Sequence, residues 1–253
     1  MHLGAQLRRG WLVEVGRLRH RRVERLDTHA RLHPVPRSTR TVTPAAGDVP
    51  FVGGGGRVSV YRDGRLLAVP RLPMRLIQSA YVTPTGALVV VGGNSDTVRR
   101  WCRMAGWVTT CGGWPGSEYA SPVAGHGDHV AFALARVPDG EVDATPLAGL
   151  AVSDDGGNTW RPVTVPNGLV ETLSLAVTRD GTVYATTGGG PTIRVRPGAD
   201  RASLVRSATP IVLDADGRQL HALDAPGRHW NRARGVVSSD GGRHWTVEPL
   251  PGR

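Results

Sequence analysis

Acidic, arginine and aromatic side chains collect in the links between the apolar runs of this 253-residue chain, and their types limit the chemistry open to it. Glu118 and Tyr119 are adjacent, Asp139, Glu141 and Asp143 alternate along one link, and Glu171 stands alone before an apolar run. Another link holds His229, Trp230, Arg232 and Arg234, and Asp96 lies in a Gly-Asn-Ser segment. A guanidinium grips a carboxylate through two parallel hydrogen bonds, and a carboxylate beside a phenol can activate it as a nucleophile. An exposed tryptophan such as Trp114 or Trp230 suits a binding anchor instead. Each residue alone reads as a solvated loop residue; only convergence in one pocket makes a site.

Other chemistries lack their residues. There is no Gly-x-Ser-x-Gly elbow, no His-Glu-x-x-His helix and no Gly-rich phosphate loop ending in Lys-Ser or Lys-Thr. Gly53 to Gly56 and Gly188 to Gly190 read as connections between strands. Asp154-Asp155 and the Asp139 to Asp143 stretch lack the spacing and terminal Glu of a calcium loop, and two cysteines cannot build a structural zinc site unaided. No metal and no cofactor is expected.

The elements that must position these links announce themselves in a repeated pattern, Ser-x-Asp-x-Gly-x-x-Trp. It occurs as Ser153, Asp155, Gly157 and Trp160, and again as Ser238, Asp240, Gly242 and Trp245. Short polar side chains that bond nearby amides, a glycine that supplies positive φ and a large apolar residue opening the return strand describe a hairpin tip. The pattern resembles the Asp-box, or BNR, repeat of sialidases and other β-propellers. In that family the box joins the third and fourth strands of a blade, away from the active face, so the resemblance implies architecture before chemistry.

The two boxes begin at 153 and 238, which is 85 residues, or about two units of a ~40 to 45 residue propeller blade. Val82 to Val90 and Val177 to Ala185 echo each other as strand, polar turn and strand, and Val212 to Gly217 repeats the idea. The reading is all-β: a propeller of four-stranded antiparallel blades. Five units are recognisable, at 46–73, 74–113, 118–166, 170–208 and 209–250, the first short and irregular. Six blades result if residues 1–45 complete one, and a piece of a larger ring is the remaining alternative. Residues 1–45 are an Arg-rich extension, poorly ordered or completing a blade, and residues 46–253 the propeller. Within the extension Trp11, Val15, Leu18, Arg22 and Leu26 fall near helical spacing, consistent with a short basic amphipathic helix.

The formal charge of +10 comes from 31 Lys+Arg against 21 Asp+Glu, and every one of those cations is arginine. Arg65, Arg161, Arg194 and Arg218 are spread over strands and turns rather than forming one stripe, which disfavours a nucleic-acid partner. The lysine-free composition, rich in Ala, Gly, Val and Pro, matches the bias of a high-GC genome, and the resemblance implies a bacterial source. Cys102 and Cys111 flank an Ala105-Gly106 turn and read either as a cross-strand disulfide or as two reduced small residues. Glu14 interrupts the only apolar run near the N-terminus, so no signal h-region is expected there, and no run reaches the ~20 apolar residues of a membrane span. The cysteine pair and the resemblance suggest a secreted or cell-envelope protein, expected to be monomeric.

The resemblance also implies a hydrolase alternative. Sialidases use three arginines on the substrate carboxylate, a Tyr-Glu pair and an acidic acid/base; the Phe/Tyr-Arg-Ile-Pro motif carrying the first arginine is absent, since Tyr61-Arg62 continues into Asp63-Gly64. The leading expectation is therefore a non-catalytic propeller that binds a protein or glycan partner. The alternative is an exo-α-sialidase-like hydrolase of an acidic sugar.

Overall fold

The computed structural model describes residues 2–7, 10–15, 22–27, 31–53, 56–93, 100–114, 116–117, 119–136, 146–169, 172–187, 191–205, 212–216, 219–224 and 234–248. Short strands dominate because segments of three to eight residues rich in Val, Leu, Ala and Thr are closed off by Gly, Asp and Pro. They assemble into six four-stranded sheets, the blades of a β-propeller. The chain divides into two compact units, Met1–Gly112 and Gly113–Pro251.

In the first unit, β1 (His2–Leu7), β2 (Gly10–Val15), β3 (Arg22–Leu26) and β4 (Leu32–Pro34) form an antiparallel meander. The helical spacing expected near the N-terminus is not used as such. Trp11 and Val15 lie on β2 and Arg22 and Leu26 on β3, while Leu18 falls outside the described residues. Leu12, Val13 and Val23 are all buried, and Leu12 and Val23 join Phe51 and Leu66 in a core that the next sheet completes. Two neighbouring apolar surfaces outweigh a helical pattern that would have buried only one stripe.

The second sheet is irregular, as its short sequence unit suggests. Strands β6 (Val49–Gly53), β7 (Arg57–Arg62) and β8 (Arg65–Ala68) form a meander, and β5 (Arg37–Thr41), which precedes them in the chain, pairs with β8 in parallel. Arg62 anchors the crossing from β5 to β6: its Nε and Nη2 donate to Asp48 Oδ1 and Oδ2 at 2.7 and 2.6 Å, and Nη2 also donates to Thr43 O at 3.0 Å. The third sheet holds β9 (Ile77–Val82), β10 (Leu88–Gly92), β11 (Trp101–Ala105) and β12 (Val108–Gly112). All five β10 residues are buried, so this strand is covered on both faces. Cys102 and Cys111 are paired directly across β11 and β12 and bonded as a disulfide. The hairpin tip beyond them leaves Trp107 and Val108 exposed.

In the second unit, β13 (Tyr119–His126), β14 (His129–Ala135), β15 (Leu147–Ser153) and β16 (Arg161–Val163) form one blade. Next come β17 (Thr172–Val177), β18 (Val183–Thr187), β19 (Thr192–Val195) and β20 (Ser203–Val205), then β21 (Val212–Asp216), β22 (Gln219–Asp224), β23 (Arg234–Ser238) and β24 (Thr246–Glu248). The largest core lies between the first two of these blades and takes Leu150, Val152 and Val163 from one and Leu175, Val183 and Ile193 from the other. At about 1.5 to 3 kcal/mol for each large aliphatic side chain buried, such a shared layer exceeds what either thin sheet could retain alone.

The two sequence echoes are one hairpin used twice. Thr83 N donates to Ala87 O and Gly86 N to Thr83 O, each at 2.9 Å, between β9 and β10. Thr178 N donates to Thr182 O and Gly181 N to Thr178 O, also at 2.9 Å, between β17 and β18. Each is the first hairpin of its blade. Among the described residues no helix is long and apolar enough to cross a membrane.

Candidate functional site

The expected site residues fall mostly outside the described residues: Asp96, Glu118, Asp139, Glu141, Asp143, Glu171, His229, Trp230 and Arg232 do so. Tyr119 opens β13, with its backbone paired to Ala135, and only its backbone is described. Arg234 opens β23, is exposed, and pairs through its backbone with Asp224. Tyr119 and Arg234 thus belong to different blades. Trp114 is half-buried, edge-on to Phe132 at a centroid distance of 6.2 Å. Among the described residues no group of three or more His, Cys, Asp or Glu stands close enough to hold a metal.

The two Ser-x-Asp-x-Gly-x-x-Trp segments are turns of the same construction, each between the third and fourth strands of its sheet. Ser153 Oγ donates to Asp155 Oδ1 at 2.8 Å and accepts the Gly157 amide at 2.8 Å. In the second turn Ser238 Oγ donates to Asp240 Oδ1 at 2.9 Å and accepts the Gly242 amide at 2.8 Å. The aspartates then turn to the return strand: Asp155 accepts from Thr159 N and Oγ1, and Asp240 from His244 N and from Arg243 N. Burial pushes the Asp155 carboxyl up, and the Thr159 and Ser153 hydrogen bonds more than offset it, leaving the group below its ordinary value. Asp240 is held far below its ordinary value, first by the His244 amide. Carboxylates fully engaged in holding a turn are poorly placed for proton transfer. Trp160 packs on Phe132 at 4.6 Å, and Trp245 packs on the core of Ala176, Tyr184, Val205 and Leu220. These residues build the blades.

A cleft of about 720 Å³ lies within the first unit. It forms where the β6 to β8 meander meets the link that leads to β9. Its floor is apolar, made of Phe51, Val58, Leu66, Leu72 and Ile77, all buried, with half-buried Val69 and Met74 above them. Its rim carries four exposed arginines: Arg37 on β5, Arg57 at the start of β7, and Arg71 and Arg75 on the link. One carboxylate, the 7% exposed Glu14 of β2, reaches it beside Gly53. The guanidiniums of Arg37, Arg57 and Arg71 have no hydrogen-bond or ion-pair partner among the described residues. Unpaired guanidiniums above an apolar floor can take a ligand that is both anionic and partly apolar. None of these residues stood out in the sequence. Arg71 and Arg75 flank Leu72-Pro73-Met74 and could have been noticed, but Glu14 and Arg37 join them only through the fold.

No family model matches the chain, and no curated protein matches it in sequence. Solved structures match it in fold. A streptogramin B lyase structure matches with a TM-score of 0.59 and 13% identity, over 99% of this chain and 83% of that one. An ancestral GH74 enzyme matches with a TM-score of 0.53 and 15% identity, over 81% of this chain and 30% of that one. A structure of YCF48 bound to D1 peptide gives a TM-score of 0.52 and 12% identity, over 83% and 65%. The chain spans less than two thirds of the length of the latter two. At these identities the likeness is one of fold, a β-propeller whose structural neighbours include enzymes and a peptide-bound protein.

Proposed function

We propose that the chain is a non-catalytic propeller of Asp-box type that binds a protein or glycan partner. The carrying observation is the cleft of the first unit, in which the guanidiniums of Arg37, Arg57 and Arg71 lack partners among the described residues and surround an apolar floor. A guanidinium left exposed and unpaired in a concave site is held ready for an external anion. The two Ser-x-Asp turns support the Asp-box assignment by their shared hydrogen bonding and by their place between third and fourth strands. Because one fold carries lyase, hydrolase and peptide-bound examples, the fold itself does not choose among these functions.

Two assays on the purified protein test this reading. Binding to immobilised glycans and peptides is expected, with no release of fluorophore from a fluorogenic sialic-acid glycoside. Turnover of that glycoside that disappears in Glu171→Gln or Arg232→Ala would overturn the reading and establish the hydrolase alternative.

A further inference from the structure

We propose that the occupant of the first-unit cleft is an extended acidic peptide in which Asp or Glu alternates with aliphatic residues. The proposal rests on reading the chain as a binding propeller and specifies the partner's chemistry.

Three features of the cleft select this class of ligand. Arg37, Arg57 and Arg71 come from three separate segments, so the unpaired positive charges are distributed around the rim rather than focused at one point. That arrangement matches carboxylates distributed along a chain, each taken by a planar guanidinium fork. Beneath them Val69 and Met74 are half-buried, leaving aliphatic surface for small side chains between the acids. Stacking surface, by contrast, is missing: the one aromatic ring in the described lining, Phe51, is 3% exposed. Single-stranded nucleic acids and most sugars draw much of their affinity from exposed aromatic faces, which this lining does not offer.

A strand-like peptide that alternates acids with small aliphatic residues presents one set of side chains to the arginine rim and the other to the apolar floor.

The test is fluorescence polarisation with a labelled peptide of alternating Asp and Val, its Asn-for-Asp counterpart, and a labelled sulfated oligosaccharide. The protein is the full chain, with Arg57→Glu, Arg71→Glu and, as a charge-matched control, Arg179→Glu on an exposed turn of the second unit. The Asp peptide is expected to bind, with Kd raised about tenfold or more by Arg57→Glu and by Arg71→Glu, the scale of a lost charge-assisted hydrogen bond. Arg179→Glu, outside the cleft lining, is expected to leave it within about twofold, as the change of an exposed, solvent-screened charge should. Near-ultraviolet circular dichroism reports whether each variant keeps its packing.

Equal weakening by all three substitutions overturns the proposal, because general charge would then explain binding. So does equal affinity for the Asn peptide. Cleft-dependent binding of the sulfated oligosaccharide without the peptide overturns the peptide assignment and leaves the binding-module reading standing. Failure of both probes overturns the cleft as a site for polyanions, while glycoside turnover overturns the binding-module reading itself.

Discussion

Gly241 lies directly against Tyr184: a Cβ placed on it would stand 2.7 Å from the tyrosine Oη. The glycine belongs to the second Ser-x-Asp turn and the tyrosine to β18 of the neighbouring blade, so the turn closes one hairpin and seats one blade on the next. Gly241 also has φ of +75°, which L side chains rarely adopt. Gly181 repeats the arrangement one blade earlier, where a Cβ would stand 2.8 Å from His129 Nδ1. Positive-φ glycines at blade tips therefore serve packing between blades as well as turn geometry.

Gly241→Ala is expected to destabilise the protein by about 2 kcal/mol, combining backbone strain with the clash. Tyr184→Phe removes the atom that clashes, so the same substitution should cost less in that background. The coupling in a double-mutant cycle, measured by urea unfolding, separates the two causes. Additive effects would show that the contact with Tyr184 contributes nothing and that strain alone accounts for the loss.

Ser153→Ala is expected to cost about 1 to 3 kcal/mol, because it leaves the buried Gly157 amide without its acceptor. Ser153 is 1% exposed, as is Ser238, so water cannot replace either hydroxyl. Ser238→Ala should therefore cost a similar amount through the Gly242 amide. Ser153→Cys, similar in shape but a weak acceptor, should fail to restore stability in thermal unfolding. Full recovery with cysteine would assign the effect to packing.

What the sequence made legible and what it hid follow from the range of the forces involved. The Ser-x-Asp turns are local: Ser153, Asp155 and Gly157 satisfy one another within five residues, so their spacing alone betrays them. The hairpins at Thr83 and Thr178 were readable for the same reason. The N-terminal sheet was less so, because β2 and β3 carry apolar residues at positions that also suit a helix, and only packing of Leu12 and Val23 on Phe51 decides the matter. Strand β5 was hidden too, since its Arg-Ser-Thr-Arg-Thr sequence carries no apolar alternation and its parallel pairing with β8 depends on a distant partner. The cleft is the extreme case. Glu14, Arg37, Arg57 and Arg71 are separated by up to 57 positions, and no local rule brings them together.

Stability is expected to fall in acid because of the turn aspartates. Asp155, Asp180 and Asp240 all have folded values below the ordinary carboxylate value. For Asp180 the leading cause is the hydrogen bond from Thr178 Oγ1, at 2.6 Å. A carboxyl held low when folded binds its proton more readily when unfolded. Its contribution is therefore complete above the unfolded value, about pH 4, and is lost as the pH falls through the folded value. Urea midpoints should be nearly level from about pH 7 to pH 5 and decline steadily below about pH 4. Asp180→Asn should flatten that decline by removing one titrating group. An unchanged slope would mean that the acid sensitivity arises elsewhere.

Reduction should loosen the third blade without dismantling it. The disulfide joins Cys102 and Cys111, nine positions apart, and so closes a small loop across one hairpin. Closing a loop of that size restricts the unfolded chain by about 2 to 3 kcal/mol in the chain-entropy account. Cys102 is also fully buried among Val90, Leu88 and Met104, a packing that alanine would partly forfeit and a free thiol would keep. Thermal unfolding with reductant should therefore shift down by about 5 to 10 °C. The Cys102→Ala, Cys111→Ala double variant should fall further, and reductant should have no effect on it. If reduced protein and double variant melted together, the cross-link would account for the whole loss, and the buried sulfur would contribute nothing through its packing.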